Sequence, residues 1–285
     1  MVKYRALAIV TGYWLPGTDY LSEIVAAVEG RVSDGDILVI SEKALSIAMG
    51  RIIDEDKVKP SLNSRLIAEV WMPIVWGYIL GPICRLNSRL IKDLREYPRQ
   101  LGGRHKQVAL QYGGLLQALM FGSEGGIDGS NLPYSYVSLP LEDADALAER
   151  IHREILLKLG KQVNVMIVDT DTTFSFRNFY FTYRPRPMRG IHSIGGFLAY
   201  VVGRMFRLKR WATPLAVAGC RMSIEEALRV AYFANRVRGY GSGRTVWDMA
   251  EAFNVDLTGI SWDMLKKVPH KPIVIIRAKT NSGGK

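Results

Sequence analysis

Val163-Asn164-Val165-Met166-Ile167-Val168-Asp169-Thr170-Asp171 is the stretch on which the reading of this chain turns. A mostly apolar run of about six residues, rich in valine and isoleucine, reads as a buried strand. Acids follow at once, so a carboxylate stands at the strand's end, where its side chain reaches a cleft while its backbone stays fixed. A second acidic segment lies upstream: Gly126-Ile127-Asp128-Gly129-Ser130-Asn131. There an Asp and an Asn three apart sit in a glycine-rich turn, whose tight geometry aims short polar side chains at one point. Hard oxygen ligands of this kind suit Mg²⁺ or Mn²⁺, the ions that bridge nucleotide phosphates. Two ordinary Asx turns are the alternative reading, and it stays open at this level.

Outward from that strand, Glu142 to Leu159 reads as an amphipathic helix, with Leu147, Ile151 and Ile155 on one face and Gly160 just past its end. Phe174-Ser175-Phe176-Arg177 alternates as a half-buried strand does. At the N-terminal side come a strand from Tyr4 to Val10, a turn through Gly12 to Asp19, a helix from Tyr20 to Val28 and a strand from Ile37 to Ile40. Ser41 to Ile53 looks like a helical start with Gly50 inside it. After Pro60 a helical region extends to Glu96, broken by its prolines and glycines. Gly102-Gly103 marks a loop, and Tyr112-Gly113-Gly114 with Leu115 to Met120 suggests a hairpin leading to Asp128. Ser223 with Glu226 forms a capping box opening a helix to Val237, which runs into the glycine-rich Arg238-Gly239-Tyr240-Gly241-Ser242-Gly243. Ile273 to Arg277 is a closing strand, and 281–285 reads as a disordered tail. Strands and helices mix without strict alternation or internal repeat, so the expected class is α+β.

With 285 residues the chain has room for one large domain or two small ones, and 48% apolar content excludes a mainly disordered chain. Two cysteines, Cys84 and Cys220, make no disulfide framework and no zinc spacing; a reduced, cytoplasmic setting is expected, with Cys220 in the core. No secretory signal is visible. The longest apolar stretch, Val70 to Ile83, falls short of the ~20 residues of a membrane span and is interrupted by Pro73, Gly77 and Pro82. Buried helical structure or a subunit contact is the expectation, with the lining of a lipid-like pocket as an alternative. The net charge of +11 implies anionic partners, or else simply a basic solvated surface. Positive charge gathers at Arg184-Pro185-Arg186-Pro187-Met188-Arg189 and at Arg204, Arg207, Lys209 and Arg210. The four histidines, His105, His152, His192 and His270, show no ligand spacing and read as structural or exposed.

The ordered set of motifs resembles the coenzyme F420-0:L-glutamate ligase family, the gamma-glutamyl ligases of F420 biosynthesis. Asp34 to Ile40 followed by Lys43 to Arg51 is similar to that family's strand and its K-x-x-S-K-A-E-G-R segment. Gly126 to Pro133 (GIDGSNLP) resembles its G-V-D-x-S-N-V-P loop, Val168-Asp169-Thr170 its S-D-T, and Pro272 to Arg277 its closing P-V-V-V-x-R strand. The resemblance implies a two-lobed α+β fold over residues 1–280, with lobes 1–95 plus 195–280 and 96–194, and an intertwined homodimer. It implies a reaction in which GTP, or ATP, phosphorylates a carboxylate of an F420-0-like acceptor and L-glutamate displaces the phosphate to form an amide. Asp128 would bind one Mg²⁺ or Mn²⁺, and Asp169 with Thr170 the other. Asn131 would contact the nucleotide. Ser41, Lys43 and the turn at Leu15-Pro16 would lie along it, and Gly239 and Tyr240 would complete the phosphate site.

Departures from the pattern are specific. Ile47 and Met49 stand where the family has lysine and glutamate, and an isoleucine cannot make a charge-assisted phosphate contact. Lys43, four residues before Ile47, shares its helical face and can stand in. Asp171 lies outside the family pattern and reads as an exposed strand-end charge in preference to an extra ligand. Three functional readings therefore stand: the amide ligase, a nucleotide- or cofactor-binding paralogue without turnover, and a basic nucleic-acid-binding protein, which acids in the cleft disfavour. No membrane partner is expected.

Overall fold

The computed structural model describes residues 4–278; the tail at 281–285 lies outside them. Its strands, in chain order, are β1 (Tyr4–Thr11), β2 (Ile37–Ser41), β3 (Ile52–Asp54), β4 (Tyr136–Ser138) and β5 (Asn164–Phe176). After these come β6 (Phe179–Thr182), β7 (His192–Ser193), β8 (Lys209–Ala218) and β9 (His270–Ala278). Seven of them make one mixed sheet in the order β1-β9-β2-β5-β6-β7, with β8 also paired to β5, while β3 and β4 form a separate ribbon. β2 runs parallel to β5, and β8 and β6 run antiparallel to it.

The sheet is covered on both faces, which is why β2 and the first half of β5 are apolar on both sides. On one face Leu38, Ile40, Val165, Ile167 and Ile273 pack against the helices Tyr20–Val28 and Ala144–Leu159 through Ile24, Val28, Ile151 and Ile155. On the other, Val39, Met166, Val168 and Val274 meet Ala227, Val230, Ala231 and Ala234 of the helix Ile224–Arg238. The expected helix ending at Gly160 is present, starting at Ala144 with Asp143 as its cap, and so is the Ser223 cap. A further core joins the helices Arg99–Tyr112 and Phe197–Met205 to Phe174, Phe181, Met72 and Trp76. The expected mixed α+β class holds.

β5 is the strand on which the site depends. β8 pairs along its length, from Val165 to Ser175, so β2 and β6 must share its other edge. β2 accompanies it only as far as Val168, and β6 joins it only at Thr173. Between these points the β8 register also breaks: Asp169 faces Thr213 and Thr172 faces Ala212, leaving Thr170 and Asp171 as extra residues. A bulge on one edge and a gap on the other release this segment from the ladder, the usual device for re-aiming side chains.

Several local expectations are corrected. Gly102-Gly103 lies inside the helix Arg99–Tyr112, because a Cβ at Gly102 would fall 2.2 Å from Cε1 of Tyr97 and the missing side chain lets that ring lie against the helix. Leu115–Ala118 is a short helix, not a hairpin strand. Ser41 caps a helix that ends at Ala48, and Ile52–Asp54 is a strand. Most unlike the expectation, the chain from Leu62 to Ile83 is a continuous helix of 22 residues. Its Ile67–Leu80 portion has π-helical bonding, which moves aside the carbonyl that the Pro73 ring would strike in an α-helix. By length and composition alone it is long enough to cross a membrane, with 33% of its most apolar window buried. Met72 and Trp76 are on its buried side, and the indoles of Trp71 and Trp76 both donate to the Leu119 carbonyl, at 2.8 and 2.7 Å. Leu66, Val70, Ile74 and Tyr78 are exposed. Cys220 is exposed too, since β8 ends at Ala218 before reaching it.

Ile167 lies in the first half of β5 with no exposed surface. Ile167→Ala is expected to cost about 2–5 kcal/mol of unfolding free energy in a denaturant titration.

Candidate active site

A cleft of about 400 Å³ opens where β5 leaves the ladder. Asp128, Asp169 and Thr170 line it together with Ser41, Lys43, Asn131, Gly239 and Tyr240, so eight residues from four distant segments converge there. Leu15 and Pro16 do not line it; their turn is spent on the Leu15 N–H to Thr18 Oγ1 bond (2.9 Å) and sits beside the end of the Glu42–Ala48 helix.

Asp128 is fixed from both sides. Its backbone bridges to Ser138 of β4, donating at 3.3 Å and accepting at 3.0 Å. Oδ1 accepts from the Ser130 N–H at 2.7 Å, the Asx turn of the alternative reading, and Oδ2 accepts from Lys43 Nζ. Lys43 also donates to the Ser130 hydroxyl at 2.7 Å and its carbonyl at 3.1 Å. Asn131, in the left-handed region at φ +56°, turns its amide toward the glycine-rich loop. Its nitrogen donates to the carbonyls of Tyr240 and Gly243 at 3.2 and 3.1 Å, and its oxygen accepts from the N–H and hydroxyl of Ser242, both at 2.8 Å. At Gly241 a Cβ would lie 2.4 Å from that oxygen, at φ +63°, so only glycine permits the clasp.

Behind the cleft lies a buried charge cluster. Arg184, 1% exposed, pairs through Nη2 with Glu42, and through Nη1 with the Gly125 carbonyl; its Nε lies 2.8 Å from Asp169 Oδ2. That last approach is an ion contact at the wrong angle for a hydrogen bond, so Asp169 Oδ2 has no hydrogen-bond partner. Asp171 Oδ2 has none either, although Oδ1 lies 3.4 Å from the Tyr183 hydroxyl. Asp171 is therefore not the exposed strand-end charge expected; the bulge turns it inward. Burial first, and then the neighbouring Asp169, hold its carboxyl well above the usual carboxylate range. Burial likewise raises Glu42 to about 7 despite Arg184, with Asp169 adding to the rise. Burial opposes the charge on Arg184, but Glu42, Asp169 and Asp171 outweigh it and keep the guanidinium protonated. One fully buried cation thus serves three carboxylates, a deficit of positive charge beside two oxygens that accept no hydrogen bond. Oxygen donors of this kind fit a hard divalent ion. Among the described residues no ready-made group of three or more His, Cys, Asp or Glu marks a metal centre.

A second cavity, of about 400 Å³, adjoins the first and shares Ser123, Asp128, Thr170, Thr172 and Arg244 with it. Its remaining walls are largely apolar and aromatic, including Tyr97, Phe121, Tyr136 and Trp247. At its far side His105 bridges two acids, Nδ1 to Glu55 at 2.7 Å and Nε2 to Glu124 at 2.9 Å, and Lys106 pairs with Glu124 from inside the core.

With this geometry in place, comparison with known proteins is decisive. Residues 9–198 match the family described as F420-0:Gamma-glutamyl ligase. The chain belongs to this family. An uncharacterized protein of Methanocaldococcus jannaschii is 34% identical over 96% of this chain and 97% of its own. Coenzyme F420:L-glutamate ligases of Archaeoglobus fulgidus and of M. jannaschii are 31% and 28% identical over 54% and 60% of this chain. These alignments span 54% and 63% of the two ligases.

Against the family pattern, Ile47 does line the cleft on the same helical face as Lys43, while Met49 is 45% exposed and lies outside it. Sequence reasoning missed Glu42, Arg184 and Arg238. Arg184 had been grouped with a solvated basic loop, although its neighbours Arg186 and Arg189 are indeed exposed. Arg238 lines the cleft, its pKa lowered by burial to about 10 and so still charged at neutral pH. His270 borders it uncharged, burial holding it near 4. Position beside an invisible partner is all that set these side chains apart, and the local sequence carries no sign of it.

The His105 cluster gives a pH test. Burial opposes the imidazolium, but Glu124 and Glu55 raise its pKa to about 10, above the 6.5 of an unfolded histidine. The stabilisation is complete below pH 6.5 and is lost as pH rises toward 10. His105→Asn is expected to flatten this part of the stability–pH curve measured by denaturant unfolding.

Proposed function

We propose that the protein is a metal-dependent amide ligase in which GTP or ATP activates a carboxylate of an F420-0-like acceptor for attack by L-glutamate. The observation that carries this reading is the meeting of two cavities at Asp128 and Thr170, one polar and ringed by cations, the other apolar and aromatic. The nucleotide's phosphates occupy the first, among Lys43, Arg238 and the loop 239–243, whose backbone is held by Asn131. The planar, apolar part of the acceptor occupies the second. Their reacting ends then face each other across the shared wall.

In the first step an acceptor carboxylate oxygen attacks the terminal phosphorus, forming an acyl phosphate and releasing the nucleoside diphosphate. In the second the glutamate amine attacks the acyl carbon, the amide bond forms and inorganic phosphate leaves. Catalysis of both is mostly charge neutralisation and alignment. Asp128, Asp169 and Thr170 are the residues that would hold Mg²⁺ or Mn²⁺, with the unpartnered oxygen of Asp171 as a further candidate; such ions supply charge neutralisation at the phosphates. Lys43, displaced from Asp128 when a cation binds there, is free to turn to phosphate in place of the family lysine replaced by Ile47. Arg184 orients Asp169 and Glu42 from behind.

The protein is further proposed to act in the cytoplasm as a homodimer of single-domain protomers, with the exposed side of the Leu62–Ile83 helix adding to the subunit contact. A paralogue that binds nucleotide without turnover is the second reading, favoured by Ile47 in the cleft.

Calorimetric titration of GTP and ATP with and without Mn²⁺ tests the site. Metal-dependent binding is expected, weakened at least about tenfold in Asp128→Asn and in Asp169→Asn, a loss of about 1.4 kcal/mol. Metal-independent binding, equal in all three proteins, would refute it. Lys43→Ala is expected to weaken nucleotide binding severalfold. Release of phosphate dependent on both glutamate and acceptor separates the ligase from the paralogue.

A further inference from the structure

A third concavity, of about 710 Å³, shares Thr170 and Thr172 with the other two and is walled by Arg85, Arg204, Arg207, Lys209, Arg210 and Arg244. No acid lines it, and among the described residues none of these six cations is in an ion pair. Their placement is built rather than incidental. Arg204 donates to the carbonyls of Cys84 and Arg85 at 2.8 and 2.9 Å, tying the turn that carries Arg85 to the helix Phe197–Met205. Lys209 stands 4.0 Å over the Trp211 ring and Arg244 4.0 Å over that of Tyr240, so aromatic faces fix two of the charges. Six like charges within one concavity repel one another, and a Debye length of about 8 Å screens little of this at contact range. The fold gains nothing from that repulsion; an anionic ligand removes it.

The concavity opens onto the phosphate cleft, sharing Thr170, Thr172, Arg210, Tyr240 and Arg244 with it. Its volume is that of a small-molecule site, not of a surface for duplex nucleic acid. Five of its six cations lie beyond residue 198, where the family match ends.

We propose that this groove binds a multiply charged anionic chain, a polycarboxylate or an oligophosphate, extending from the acceptor and separate from the nucleotide's own phosphates. The proposal deepens the ligase reading, since the groove leads to the proposed reacting centre, but its test reads binding and needs no turnover. Tetraglutamate and tripolyphosphate are the two probes, titrated calorimetrically into protein saturated with GTP and Mn²⁺, at low and at physiological salt. At least one is expected to bind, less tightly as salt rises, and whichever binds more tightly identifies the carboxylate or the phosphate source. Arg207 and Lys209 are exposed and line this groove alone, so the double variant R207A/K209A should keep the wild-type melting temperature and nucleotide affinity while losing at least tenfold in probe affinity. K209E should lose more. Absence of binding by both probes, or equal probe affinity in the double variant, overturns the proposal. So does an equal loss of nucleotide and probe affinity, which would make the groove part of the nucleotide site. Tighter binding of a single-stranded oligonucleotide than of either probe at the same salt would assign the groove to nucleic acid instead.

Discussion

Arg184 is the cation around which the candidate site is assembled. It is buried, and it reaches Glu42 at the start of one helix, Asp169 at the bulge inside β5 and the Gly125 carbonyl at the entry to the Asp128 loop. These elements are far apart in sequence, and no other described side chain touches all three. Burying a guanidinium is costly unless its donors are satisfied, so the three partners are drawn to one point. Removing the arginine would leave acids facing one another in a dry interior. The position of Asp169 at the cleft, and through Gly125 the approach of the Asp128 loop, both follow from this single side chain.

The surplus of acid over base around Arg184 then acquires a purpose. Two carboxylate oxygens are buried without a hydrogen bond, and burial, with Asp169 beside it, holds the Asp171 carboxyl well above the usual carboxylate range. Buried polar atoms are normally paired, and unpaired ones mark places where something else is meant to bind. The cleft that Asp169 lines also carries Lys43, Arg210 and Arg238, so acids and cations border the same space.

Much of this was legible in the sequence where a local rule governs. The β5 strand, the Ala144–Leu159 and Ile224–Arg238 helices, and the Asx turn at Asp128 follow from periodicity, capping and turn chemistry acting within a few residues. Asp128, Asp169 and Lys43 were found because their motifs are short and their spacing fixed. Legibility failed where a distant partner decides. It failed also at Gly102, where Tyr97, only five residues back, lies on the helix, and at Pro73, which π-helical bonding accommodates. Arg184 sits in a run of prolines and arginines that looks solvated until Glu42, 142 residues away, is placed beside it. Asp171 was misread because strand alternation predicts facing only while a strand stays in register.

That loss of register has a price in cohesion. Thr170 and Asp171 are two residues that β8 does not match, so the longest strand of the sheet is unzipped at its middle. A shorter chain lacking this pair would close the seam, recover its missing backbone bonds and bury fewer unmet acids. Such a protein would outlast the natural one on heating, and its cleft would lack Thr170. Retaining the defect is how this scaffold trades endurance for chemistry.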